Sequence, residues 1–73
     1  MNIQISRHAK RRMKERKIAR DEILQVLEYP DEVAPSIAGR FNYIKTIDAR
    51  HLKVTCKEEA DAHIVITVMD RNL

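Results

Sequence analysis

Apolar residues recur along this chain with two different periods, and the change from one to the other divides it. Ile3 and Ile5 alternate with Asn2 and Gln4, a period of two that marks a short strand ending at Ser6. Ser6 is a good N-cap, so a first helix is expected from there to about Lys17, with Ala9 and Met13 as a narrow inner stripe. A second helix is expected from Ala19 or Arg20 to about Glu28. Asp21 and Glu22 sit in its first turn, and Ile23, Leu24, Val26 and Leu27 recur at helical spacing. Ile18 is placed to staple onto Ile23, and Glu22 holds the third position of a capping box whose first residue, Ala19, cannot cap. Pro30 ends this helix.

From Asp31 the period becomes two. Glu32–Ile37 reads as a short edge strand because of Pro35, and Gly39 and Arg40 turn the chain into a strand over Arg40–Ile47. Phe41, Tyr43, Lys45 and Ile47 share one face there; the pattern does not say which face is inward. After a turn at Asp48, Ala49 and Arg50 comes the clearest strand, with Leu52, Val54 and Cys56 on one side and His51, Lys53, Thr55 and Lys57 on the other. Glu58 to Ala62 reads as a polar connection. In the last strand, His63–Asp70, Ile64, Ile66 and Val68 alternate against Val65, Thr67 and Met69, so both faces are apolar enough for a central position. The tail, Arg71 to Leu73, is too short to assign.

The order β-α-α-β-β-β-β predicts an α+β fold, with two helices packed on one face of a small, mainly antiparallel sheet. Its 73 residues make a single domain, 1–73, with no repeat and no linker. A domain of this size has a small core, so tight packing or self-association as a homodimer is expected. With one cysteine, Cys56, an intramolecular disulfide is excluded, and no Cys/His spacing suggests a zinc site. No metal or other cofactor is expected. No apolar run approaches a membrane span and MNIQIS is not a signal peptide, so a cytoplasmic protein is the default.

Charge changes this picture. Ser6 to Arg20 holds eight of the fourteen Lys and Arg residues and one acid, Glu15, while the rest of the chain carries six bases and ten acids. A net charge of +3 therefore hides a segment of +7 beside a remainder of −4. Such a segment suits a polyanion, although a charged helical face is more often simply solvated surface.

The ordered set His8, Ala9, Arg12, Met13, Arg16 and Ile18, then an acidic-started helix, Pro30, Gly39–Arg40, an alternating Leu52-x-Val54, and Ile64–Val68, resembles the small prokaryotic domain-of-unknown-function family 4258. The similarity covers nearly the whole chain. That family is similar in turn to the RelE-type toxins, which implies a RelE-like fold and a prior for an RNA-directed toxin paired with an antitoxin, often a metal-independent ribonuclease and sometimes ribosome-associated. The chain departs from the family pattern at Ala19, where Ser or Thr is usual, and at Lys17, where Gly is common.

Metal-free RNA cleavage needs a base for the ribose 2′-OH, a cation for the charged phosphorane and a proton for the leaving oxygen. His8, in the first turn of the basic helix, is the candidate acid or base. Arg12 and Arg16, one and two turns on, are candidate phosphate clamps, since a planar guanidinium binds phosphate in bidentate fashion. Lys10, Arg11 and Lys14 on the same helix, with Lys53, Lys57, Tyr43 and Lys45 on the sheet, are candidate nucleic-acid contacts. The plainer readings are a boundary histidine with a hydrogen-bonded ring, arginines salt-bridged to Glu28, Asp21 or a sheet acid, and lysines that are ordinary strand surface and discourage edge pairing. His51 and His63 border turns, and Glu58, Glu59 and Asp61 read as a solvated turn. The alternative function is a non-catalytic module for nucleic acid or an acidic protein, or a structural homodimer.

Overall fold

The structure, a computed structural model, describes residues 2–72; Met1 and Leu73, the ends of the expected domain, lie outside the described residues. The elements are β1 (Asn2–Ile5), α1 (Arg7–Arg16), α2 (Arg20–Glu28), β2 (Glu32–Pro35), a 3-10 turn at Ile37–Gly39, β3 (Phe41–Ile47), β4 (Arg50–Glu59) and β5 (Ala62–Asp70). The expected α+β order is present. The strands form one five-stranded sheet in the order β1-β5-β4-β3-β2.

Three of the strand pairs are antiparallel and follow from short connections. Two-residue turns at Asp48–Ala49 and Ala60–Asp61 join β3 to β4 and β4 to β5. The fourth pair, β1 with β5, is parallel, so the sheet is mixed. β5 therefore has a neighbour on either side, in keeping with its two apolar faces.

Both helices cover the same face of the sheet. Ala9, Ile18, Ile23, Val26 and Leu27 pack with Tyr43, Leu52, Val54, Cys56, Val65 and Val68 in one buried cluster. Ile18 and Ile23 both belong to it, as a staple requires. On this face Phe41, Cys56 and Val65 form one cross-strand row and Tyr43, Val54 and Val68 the next. Val65 and Val68 are three residues apart, yet both point to the core. A bulge explains this: Thr55 pairs with Thr67 and Cys56 with Val65, which leaves Ile66 as an extra residue in β5. The expected alternation of Ile64, Ile66 and Val68 against Val65, Thr67 and Met69 breaks at that point.

Other boundaries also move. Glu58 and Glu59 belong to β4, because they pair with His63 and Ala62 rather than forming a free connection. β2 stops at Pro35, and Ile37 stands in the 3-10 turn, 77% exposed. The undecided faces of β3 resolve with Tyr43 in the helix-covered core and Ile44 buried on the opposite face.

Candidate nucleic-acid interface

α1 is clasped to the sheet at its start and closed by a local cap at its end. At its start the Ser6 amide donates to the Val65 carbonyl at 3.0 Å, and the Ser6 hydroxyl donates to the Ile66 carbonyl at 3.2 Å while accepting from the Ala9 amide at 3.1 Å. Ser6 is thus both helix cap and strand clasp. At the other end Lys17 takes a left-handed conformation, φ 55°, and its amide closes on the Met13 carbonyl.

Between these anchors Ala9 is fully buried and Met13 half-buried against the core. The opposite side of a helix lies about 180° away, which is where Arg7, Arg11 and Lys14 fall. His8 and Lys10 flank them, and Lys17 and Arg20 follow in sequence beyond the helix end. All seven are exposed and make no ion pair or side-chain hydrogen bond among the described residues. α1 has no acid in its first turn. Its one acid, Glu15, is held by Arg12 at 2.5 Å.

The other two arginines of the candidate catalytic set are occupied differently. Arg12 is a third exposed and bound to Glu15 on the same helix. Arg16 sends Nη1 across to the Val68 carbonyl at 2.7 Å, so its guanidinium ties α1 to β5. His8 is exposed in the first turn, one turn before Arg12.

The sheet candidates divide between two faces. Tyr43 and Lys45 share the helix-covered face with Val54 and Leu52, whereas Lys53 and Lys57 project from the opposite face. Lys45 approaches Asp31 at 3.5 Å, and Lys57 approaches Glu59 at 3.3 Å. Helix and sheet bases therefore do not make one surface: Lys53 and Lys57 stand with the sheet between them and α1. Asp31 is held below the usual carboxylate range chiefly by the Thr46 amide, with Lys45 adding to it against the cost of burial.

Two features escaped the sequence pattern. Arg7 completes the outward row of α1; its spacing of four from Arg11 was a sufficient signal. The second is a group from three strands. The Tyr43 hydroxyl donates to Glu58 Oε1 at 3.2 Å, and His63 Nε2 lies 3.4 Å from the same oxygen. The Tyr43 and His63 rings meet edge to face, 5.9 Å between centroids, and His63 Nδ1 is buried without a hydrogen-bond partner among the described residues. Burial and the Glu58 carboxylate push the Tyr43 phenol up to about 12, so it remains a proton donor at neutral pH. No sequence signal announced this group, because it depends on Glu58 being inside β4.

No pocket opens among the described residues, and no three of their His, Cys, Asp and Glu side chains stand together to hold a metal ion. No helix of the described residues is long and apolar enough to cross a membrane.

Fold and charge thus define a two-helix, five-strand α+β domain with a basic outer helix face. The chain belongs to the family described as a domain of unknown function, DUF4258, which matches residues 5–70. Among curated proteins and among solved structures, nothing matches it.

Proposed function

We propose that the protein binds RNA along the outer face of α1, as the toxin-like member of a cytoplasmic two-protein module. The observation that supports this most directly is the row of Arg7, Arg11 and Lys14, flanked by Lys10 and His8, where the one acid on that side of the helix, Glu15, is paired to Arg12 and no partner draws the charge of these five away. Over about 10 Å of helix this row presents cations to a phosphate backbone, whose contacts dominate sequence-independent affinity. Because α1 is held to the sheet at Ser6 and Arg16, its backbone needs no ordering on binding, and the cost left is about 0.5–1.5 kcal/mol for each Lys or Arg side chain that is immobilised.

Charge reversal tests the reading. Arg11→Glu with Lys14→Glu is expected to abolish binding of a labelled single-stranded RNA while leaving the fold intact, since both positions are exposed. Unchanged affinity in the folded variant would overturn it.

A second reading, metal-independent cleavage, is favoured by the exposure of His8 beside the basic row. In it His8 serves as acid or base and Arg12, released from Glu15, meets the phosphate; Arg16 acts by holding the helix in place. Cleavage of RNA in excess chelator, with 2′,3′-cyclic phosphate ends and its loss in His8→Ala, is the expected result. Equal product from both proteins sinks the cleavage reading and leaves the binding reading standing. Ribosomes added to the same assay test the RelE-like form of the activity.

A further inference from the structure

We propose that Arg11 and Arg12 form one further phosphate position on α1, and that in the free protein the Glu15 carboxylate fills it as an internal competitor. Around the helix Glu15 falls between the two arginines, about 40° from Arg11 and about 60° from Arg12. Arg12 reaches round to it and pairs with it through Nη1. Arg11, one turn before Glu15, makes no ion pair among the described residues. The guanidinium of Arg12 is therefore drawn from the shoulder of the helix toward its outer face, and the carboxylate marks where an anion meets it.

Helix stability does not account for this acid. Glu15 stands in the last turn of α1 between Lys14 and Arg16, where the negative end of the macrodipole disfavours a carboxylate. Its pair with Arg12 has the base before the acid, the weaker order on a helix. Glu15 is half exposed and Arg12 a third exposed, so water screens the pair and little is lost in breaking it. What the pair does is hold one cation of the basic helix back from other anions.

A phosphate in a chain can take this place. The unbridged oxygens of an RNA phosphodiester suit the same planar donors as a carboxylate does. With its neighbours held at Arg7 and Lys14, such a phosphate reaches Arg12 at a high effective concentration, as Glu15 does by being tethered to the same helix. Once Glu15 is displaced, Arg12 adds a contact to the outer row, and the energy of breaking the ion pair is subtracted from the affinity. Glu15 thereby limits how tightly α1 holds RNA. The inference rests on the RNA-binding reading and adds to it one contact and the residue that controls it.

The test is binding of a labelled single-stranded RNA, across a range of salt, to the full chain and to its Glu15→Gln, Arg12→Gln and double variants. Both positions lie on the helix surface, so all four proteins are expected to melt alike. Glu15→Gln should bind about two- to fivefold more tightly, the worth of an exposed ion pair that no longer has to be broken. Adding Arg12→Gln should remove that gain and lower the slope of log affinity against log salt by about 0.7, the share of one phosphate. Unchanged affinity in Glu15→Gln would overturn the proposal and leave RNA binding standing. An equal gain from Glu15→Gln with and without Arg12 would do the same, since Glu15 would then act only as a diffuse negative charge. No binding by any of the four would overturn the RNA-binding reading and the proposal with it.

Discussion

Arg50 lays its guanidinium on the carboxylate of Glu22, with Nη1 2.8 Å from both oxygens. Its Nη2 donates to the Arg16 carbonyl at 3.0 Å, and Nε lies 3.5 Å from Asp70. One side chain from the first residue of β4 thereby holds the end of α1, the start of α2 and the end of β5. Glu22 also accepts from the Ala19 amide at 2.8 Å, supplying half of a capping box that alanine cannot complete.

Arg50→Ala is therefore expected to destabilise the fold by about 1.5–3 kcal/mol, the range for hydrogen bonds to charged groups. Urea denaturation measures this. Arg50→Lys should recover only part of it, because an ammonium cannot reach acceptors in several directions with a planar fork. Equal stability of wild type and Arg50→Ala would show that the helix junction is held by packing of Ile18 and Ile23 alone.

Backbone strain predicts a gain. Lys17 and Ala60 sit at φ 55° and 53°, where a Cβ costs about 1–2 kcal/mol and glycine costs least. Lys17→Gly and Ala60→Gly should each raise stability by about 0.5–1 kcal/mol, after the extra unfolded-chain entropy of glycine is subtracted. Thermal melts of the two single variants and the double variant check both magnitude and additivity.

Acid should loosen the sheet ends. Asp70 is held below the usual carboxylate range first by the Asn72 amide and then by the amide of His51 and by Arg50, against the cost of burial, and Asp31 is lowered chiefly by the Thr46 amide. A carboxylate lowered in the folded state contributes stability above its unfolded pKa, and that contribution disappears as pH falls through the folded value. Stability is thus expected to be level with respect to these two groups above about pH 5 and to fall below about pH 4. Asp70→Asn should be less stable at pH 6 and show a shallower fall, by denaturant titration at each pH.

Cys56 should be inert while the chain is folded. It is fully buried, and burial together with Glu58 pushes its thiol up to about 12. Its reaction with a thiol reagent at pH 8 should keep pace with unfolding. Fast reaction in native buffer would mean that β4 opens locally.

The sequence made most of the architecture legible because its periods are clear: helical spacing through Leu27, then alternation in β4. What it concealed depends on contacts between distant residues. The bulge at Ile66 arises from how β5 registers against Thr55 and Cys56, and no local pattern encodes it. Glu58 looks like a turn residue until its pairing with His63 is known. Arg16 and Arg12 were both legible as cations on α1; that one clasps β5 and the other Glu15 follows only from the packed structure. Likewise, the separation of Lys53 and Lys57 from α1 required knowing which face the helices cover.

The central claim is that α1, and not the opposite sheet face, meets the polyanion, and the salt dependence of RNA binding tests it most directly. Affinity for a single-stranded RNA would be measured across a range of salt for wild type, for Arg7→Ala with Arg11→Ala and Lys14→Ala, and for Lys53→Ala with Lys57→Ala. Each lost phosphate contact should reduce the slope of log affinity against log salt by about 0.7, so the α1 variant should lose about 2 units of slope and the sheet variant almost none. A reduced slope in the sheet variant with an unchanged slope in the α1 variant would contradict the account.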